Sequence, residues 1–326
     1  MFGKLMNSYF YGKSGKGDYT KEDLPSTRMQ LFRETLRTRL SGLLRLNLIY
    51  MLAWLPAMLV ILYHVFNLYA VFATLADETA TAELASQMMD VAKSITLSGL
   101  VWLIPSIALT GPFTAGVSFV TRNWARDEHA FVWSDFWDAV RENWKPALVV
   151  SSITGFVPLV VYVCWMFYGE LANQNPLFLV PQVLTLTLGL IWLMSLLYAY
   201  PMVVTYRLRI RELLRNSLLL TIGRLPGTIG IKLLSCLPLL IALVVSFLTP
   251  YLQWAVIGCF LYYVLYGFAL SRFVGASYVN AVFDKYINVK IEGAMINRGL
   301  YTEVDDDDDD DDSDTTENDD PAAPKA

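Results

Sequence analysis

Five stretches of this chain carry no charged residue, and each is longer than the roughly 20 residues that cross a bilayer as a helix. They lie between Arg45 and Asp77, Lys93 and Arg122, Lys145 and Glu170, Glu170 and Arg207, and Lys232 and Arg272. Runs of this length, in a chain that is 55% hydrophobic, exclude a soluble enzyme, a secreted protein and an outer-membrane barrel, whose strands alternate over about 10 residues. The expected fold class is all-α: a polytopic membrane protein with six transmembrane helices in three hairpins, cytoplasmic amphipathic helices and a disordered acidic C-terminal tail.

The expected spans are about 47–75, 95–120, 147–169, 177–203, 228–248 and 252–274. The last two come from a single run, Leu233 to Ser271, of 39 residues. As one helix it would reach about 58 Å, twice the hydrocarbon thickness. Thr249-Pro250-Tyr251 sits near its middle, and proline disfavours helix at the residue before it. A tight turn between two spans follows, with Lys232 snorkelling near an interface. The first apolar run begins near Leu46, too far from Met1 for a signal peptide, so it is expected to be a permanent span.

Basic residues fix the expected orientation. Nine precede span 1: Lys4, Lys13, Lys16, Lys21, Arg28, Arg33, Arg37, Arg39 and Arg45. The 2–3 loop holds Arg122, Arg126, Arg141 and Lys145; the 4–5 loop holds Arg207, Arg209, Arg211, Arg215, Arg224 and Lys232. Arg272, Lys285, Lys290, Arg298 and Lys325 follow span 6, and Lys93 alone falls in an opposite loop. With 24 of 25 bases on one side, that side and both termini are expected in the cytoplasm.

The net charge of −5 conceals two regions. Thirteen acids, among them Asp305 to Asp312, lie from Glu303 onward and are opposed only by Lys325; the rest holds 17 acids and 24 bases. The expected organisation is a basic segment 1–27, a membrane domain 28–302 and an acidic tail 303–326 whose like charges keep it from packing.

Each hairpin opens with a basic amphipathic stretch. Trp133, Phe136, Trp137, Val140 and Trp144 share one face at helical spacing, with Ser134 placed to cap. Phe32, Leu36, Leu40 and Leu43 form a second such face, and Ile210, Leu213, Leu214 and Leu218 a third. Lipid anchoring and partner docking both fit such faces; Trp133, Phe136, Trp137 and Trp144 are the candidate interface. Pro56, Pro105, Pro112, Pro158, Pro181, Pro201 and Pro238 are candidate helix kinks.

Motifs for chemistry are missing. Cys164, Cys236 and Cys259 lie in apolar runs without metal-ligand spacing. His64 reads as a polar contact to a neighbouring helix or to the outer interface rather than a proton relay, and His129 lacks partners for a metal. Neither Walker A nor GxGxxG occurs. The span interiors read as free of Asp, Glu, Lys and Arg, which argues against a proton-coupled carrier. No catalytic residue, cofactor, metal or nucleic-acid partner is expected.

Gly111-Pro112, then Arg122, Glu128, Phe131, Asp135-Phe136-Trp137 and Asn143-Trp144-Lys145, resemble the YesL-like family (domain of unknown function 624). Asn47-Leu48-Ile49-Tyr50 leading to Trp54-Leu55-Pro56 resembles the family's first span, and the resemblance extends over roughly residues 28–290. The chain departs from the family pattern in its long first external loop, basic N-terminal extension and acidic tail. Members are bacterial integral membrane proteins often encoded near carbohydrate ABC uptake systems and glycoside-degrading enzymes. The resemblance therefore implies a non-enzymatic accessory or regulatory part in carbohydrate uptake, with the bilayer and a carbohydrate ABC transporter permease or another membrane protein as partners. A small-solute transporter or channel is the alternative. The family defines no functional residues, so none carries over.

Overall fold

The computed structural model describes residues 24–76 and 81–301. The basic residues before Leu24, the acids Asp77 and Glu78, and the tail 303–326 lie outside the described residues.

Nine α-helices account for most of the described chain: α1 (Arg28–Thr38), α2 (Leu40–Leu75), α3 (Ala82–Trp124), α4 (Ser134–Ala172), α5 (Leu179–Thr205), α6 (Ile210–Gly223), α7 (Leu225–Leu248), α8 (Leu252–Tyr262) and α9 (Phe268–Tyr286). No strand occurs among the described residues. Six helical segments are long and apolar enough to cross a membrane: Leu40–Leu75, Ala82–Trp124, Ser134–Ala172, Pro176–Thr205, Leu225–Leu248 and Leu252–Lys290. Their outward faces are covered with large apolar side chains such as Leu52, Phe66, Leu177 and Phe247, each at least 70% exposed. A water-soluble surface does not tolerate that density of exposed apolar area. By the length and composition of its helices, the chain is a multi-pass membrane protein.

Several boundaries differ from the sequence reading. The stretch around Trp133 to Lys145 is not a separate interfacial helix; it is the first third of α4, which passes through Pro146 without interruption. Ser134 does not cap it. The helix begins at Ser134 itself, and the Asp135 carboxylate accepts the Phe131 backbone N–H at 2.9 Å. The Phe32 to Leu43 stretch is broken at Arg39, and Phe32 stacks on Phe273 of α9, with ring centroids 5.0 Å apart. Phe32, Leu36 and Leu43 of that face are spent on packing, whereas Leu40 stays exposed. The turn at Thr249 to Tyr251 falls where expected, but the last span is interrupted by a wide π-helical turn over Tyr263–Gly267.

Proline placement follows helix chemistry. Pro56, Pro105, Pro112, Pro158, Pro201 and Pro238 lie inside helices, as does Pro146. Pro181 is in the first turn of α5, where no helical N–H is lost, so it has nothing to kink.

The most extensive helix contact is α3 with α4. It crosses between the first two expected hairpins. Small residues allow the approach: a Cβ on Gly155 would sit 2.9 Å from the Ile104 carbonyl oxygen, and one on Gly116 would sit 2.8 Å from the Phe136 ring. Without a water-driven hydrophobic effect between spans, such close van der Waals contact and polar bonds supply the association. The first and last spans meet at Asn47, which is fully buried. Its amide N–H groups donate to Tyr263 O (2.9 Å) and Val264 O (2.8 Å), and its Oδ1 accepts from Ala269 N (2.9 Å). These backbone groups lie in and just after the π-helical turn, so one side chain ties the first span to the widened part of the last.

Candidate functional site

Two features stand apart from general packing: a polar cap at one end of the bundle and a cationic cavity among the spans.

The cap brings together four segments that are remote in sequence. Asp284, 8% exposed, forms an ion pair with Arg28, accepts Asn288 Nδ2 at 2.6 Å and accepts the Asn297 backbone N–H at 3.2 Å. Tyr206 donates to Asn288 Oδ1 at 2.7 Å. Glu128 pairs with both Arg126 (3.1 Å) and Arg298 (3.3 Å). Asn280 donates to the Arg122 carbonyl at 3.3 Å. Gly299 makes the closest approach, at φ +82°; a Cβ there would lie 2.7 Å from Arg126 O. The start of α1, the α3–α4 loop, the end of α5 and the segment after α9 therefore meet at one end. Burial lowers the Arg28 guanidinium below its usual range, while Asp284 opposes that shift. Burial pushes the Tyr206 phenol up to about 12, and the Asp284 charge adds to it.

Beside the cap, a groove of about 810 Å³ is lined by Arg39, Arg45, Trp124, His129, Phe131 and Trp133, among others. Within the candidate interface, the structure separates the four residues. Trp133 is 66% and Trp144 48% exposed, whereas Phe136 is fully buried against Gly116. Trp137 is half-buried, edge-on to Phe113 and Phe136. Trp133 and Trp144 alone face outward.

The second feature is a cavity of about 290 Å³ between α2, α3, α5, α7 and the π-helical turn. Its walls include Tyr50, Trp54, Ser118, Thr121, Lys232 and Arg272. Arg272 reaches Tyr50 Oη at 3.2 Å, and its guanidinium lies 5.9 Å from the Tyr50 ring and 5.5 Å from the Tyr200 ring. Lys232 makes no hydrogen bond or ion pair among the described residues. The sequence reading placed both cations with the loops and treated the span interiors as free of charge. In the structure Lys232 lies two turns from the start of α7, and Arg272 lies near the start of α9. The missed signal was their position at the two ends of one apolar run, which folds back on itself and can bring them to one place.

His64 has the role read from the sequence. Its ring bonds Val60 O (2.8 Å) and Ser98 Oγ of α3 (3.3 Å), and Gly99 leaves room for it. Cys164, Cys236 and Cys259 are free thiols. Among the described residues, no three His, Cys, Asp or Glu side chains converge to hold a metal.

Comparison with known proteins bears on the first three of the six candidate spanning helices. Residues 43–165 match the model of the family described as "Protein of unknown function, DUF624". The match supports assignment to this family, the one expected from Gly111-Pro112 and Asn47 to Pro56, over a shorter stretch than the sequence resemblance covered. No curated protein matches the chain, and no solved structure matches it.

Proposed function

We propose that this is a non-enzymatic integral protein of a bacterial cytoplasmic membrane, with both termini cytoplasmic, that assists or regulates a carbohydrate ABC uptake system. The basic cap carries the proposal. Segments bearing most of the described Lys and Arg gather at one end, the arrangement that positive-inside insertion requires of a cytoplasmic face. The groove beside it combines Arg39 and Arg45 with exposed Trp133 and Phe131. Aromatic and arginine side chains are the usual anchors of protein interfaces, and the partner proposed for this groove is a carbohydrate permease. Affinity purification from native membranes, with Trp133→Ser as control, tests it. Recovery of a permease with the parent chain and its loss with the variant supports the reading; no permease in either overturns it.

The cationic cavity favours a second reading, a small-solute transporter or channel. Uptake by the purified protein alone in liposomes supports that alternative.

A further inference from the structure

We infer that the cavity bounded by Lys232 and Arg272 is a binding site for a phosphate oxyanion, presented by a small soluble molecule or by a phospholipid headgroup. This stands apart from the permease reading, which rests on the groove.

The charged side chains that line the walls, Lys232 and Arg272, are both cations. Lys232 and Arg272 can only donate hydrogen bonds, and both carry positive charge. Trp54, also in the wall, holds an indole N–H that is buried without an acceptor. The hydroxyls of Ser118, Thr121 and Ser235 already donate to carbonyls of their own helices, which leaves their lone pairs as weak local acceptors. Among the described residues, no Asp or Glu lines the cavity. The nearest carboxylate along α9 is Asp284, about 18 Å from Arg272 at the helical rise, and it is already engaged by Arg28, Asn288 and Asn297.

Two cations that act on each other across one cavity, inside an apolar bundle, are costly unless something neutralises them. Among the described residues, no acid lines the cavity for the purpose. An oxyanion between them removes the repulsion and accepts several of the unused donors at once. Phosphate suits both: Arg presents a planar fork to two of its oxygens, and Lys a point charge to a third. At about 290 Å³, the space takes a phosphate with a small substituent, not an oligosaccharide. The π-helical turn contributes Tyr263 and Gly267 to the wall. The site thus lies where the last span is widened, a local form frequent at binding sites.

The test uses the full chain in nanodiscs of phosphatidylcholine alone, with inorganic phosphate added, and in nanodiscs that also contain phosphatidylglycerol. Thermal unfolding is read against sodium chloride at equal ionic strength. A saturable stabilisation by inorganic phosphate identifies a soluble ligand. Stabilisation by phosphatidylglycerol alone identifies a headgroup. In either case Lys232→Gln and Arg272→Gln should each weaken the response about tenfold or more, and Lys232→Arg should retain it. Lys232→Gln should also melt higher than the parent in plain phosphatidylcholine, since it removes the repulsion; this reading needs no ligand. Equal stabilisation by chloride, no response to either phosphate source, or an unchanged response in both glutamine variants overturns the proposal.

Discussion

Ser151 Oγ donates at 2.7 Å to the Ala108 carbonyl of the neighbouring helix, the carbonyl that Pro112 deprives of its helical N–H donor. Ala147 O and Leu148 O are also within 3.0 Å of that hydroxyl, but both sit in regular helix and have backbone donors of their own. In hydrocarbon no water can take the place of the missing N–H, so a neighbouring helix has to. Ser151→Ala should therefore cost about 1 kcal/mol, the usual scale of a polar bond between spans. The cost should largely vanish in a Pro112→Ala background, where the backbone donor returns. A double-mutant cycle by reversible unfolding in mixed micelles measures the coupling. Additive single effects would show that the two residues act separately.

Gly111 adjoins that bond and permits it. A Cβ there would lie 2.2 Å from Ser151 Oγ and 2.4 Å from Ala147 O. The second atom is backbone and cannot swing aside, so α3 and α4 must separate. Gly111→Ala should destabilise by about 3 kcal/mol, the upper range for overpacking, and reduce the folded yield in membranes. Gly258→Ala, on α8 where nothing lies within 4 Å, should be nearly neutral in the same assay. Equal yields from the two variants would refute the tight crossing.

Asn47 makes a distinct prediction, because it satisfies three backbone groups of the last span at once. Asn47→Leu keeps the branched shape of the side chain but removes its three bonds to those groups. A loss of about 2–4 kcal/mol is expected, from the penalty for unsatisfied buried polar groups. Fast amide exchange at Ala269 should accompany it, since its N–H loses its acceptor. Asn67→Leu serves as control, because Asn67 bonds only Tyr63 O of its own helix. Protection at Ala269 unchanged by Asn47→Leu would count against the clamp.

What the linear sequence reveals of this fold depends on period and charge. Uncharged runs longer than a bilayer define six spans whatever their neighbours do, and Thr249-Pro250 marks the turn between the last two. Helix continuity is harder to read. Pro146 looks like a boundary between an interfacial helix and a span, yet α4 runs through it, because its first turns pack Phe136 and Val140 against Gly116. The same packing takes Phe136 out of the candidate interface: amphipathic spacing shows that a face exists, not what covers it. The cationic cavity escapes a linear reading for a related reason. Lys232 and Arg272 each look like a residue at the edge of an apolar run, and only the return of α8 and α9 past α7 sets them into one wall. The π-helical turn has no local sequence signal at all; it is held by Asn47, more than two hundred residues away.

The cap should respond to alkaline pH through Tyr206, which lies just beyond the end of α5. Burial, with the Asp284 charge second, pushes its phenol up to about 12, against the opposing charges of Arg122 and Arg126. A raised pKa means the folded state favours the neutral phenol. Below about pH 10, the ordinary tyrosine value, the phenol is neutral folded or unfolded, and its full contribution is present. As pH rises from about 10 to about 12, the unfolded chain gains from ionising Tyr206 while the folded cap resists, so stability falls through that window. Other tyrosines titrate there too, so the informative quantity is the difference between the parent and Tyr206→Phe. At neutral pH the variant should be less stable by about 1 kcal/mol, from loss of the bond to Asn288. That gap should narrow, and can reverse, as pH climbs toward 12, because the variant has no phenol to ionise at this position. Denaturant midpoints of both proteins across the alkaline range measure it. A gap that stays constant with pH would show that the Tyr206 hydroxyl is not held buried against Asn288, near the Asp284 charge, where its shift arises.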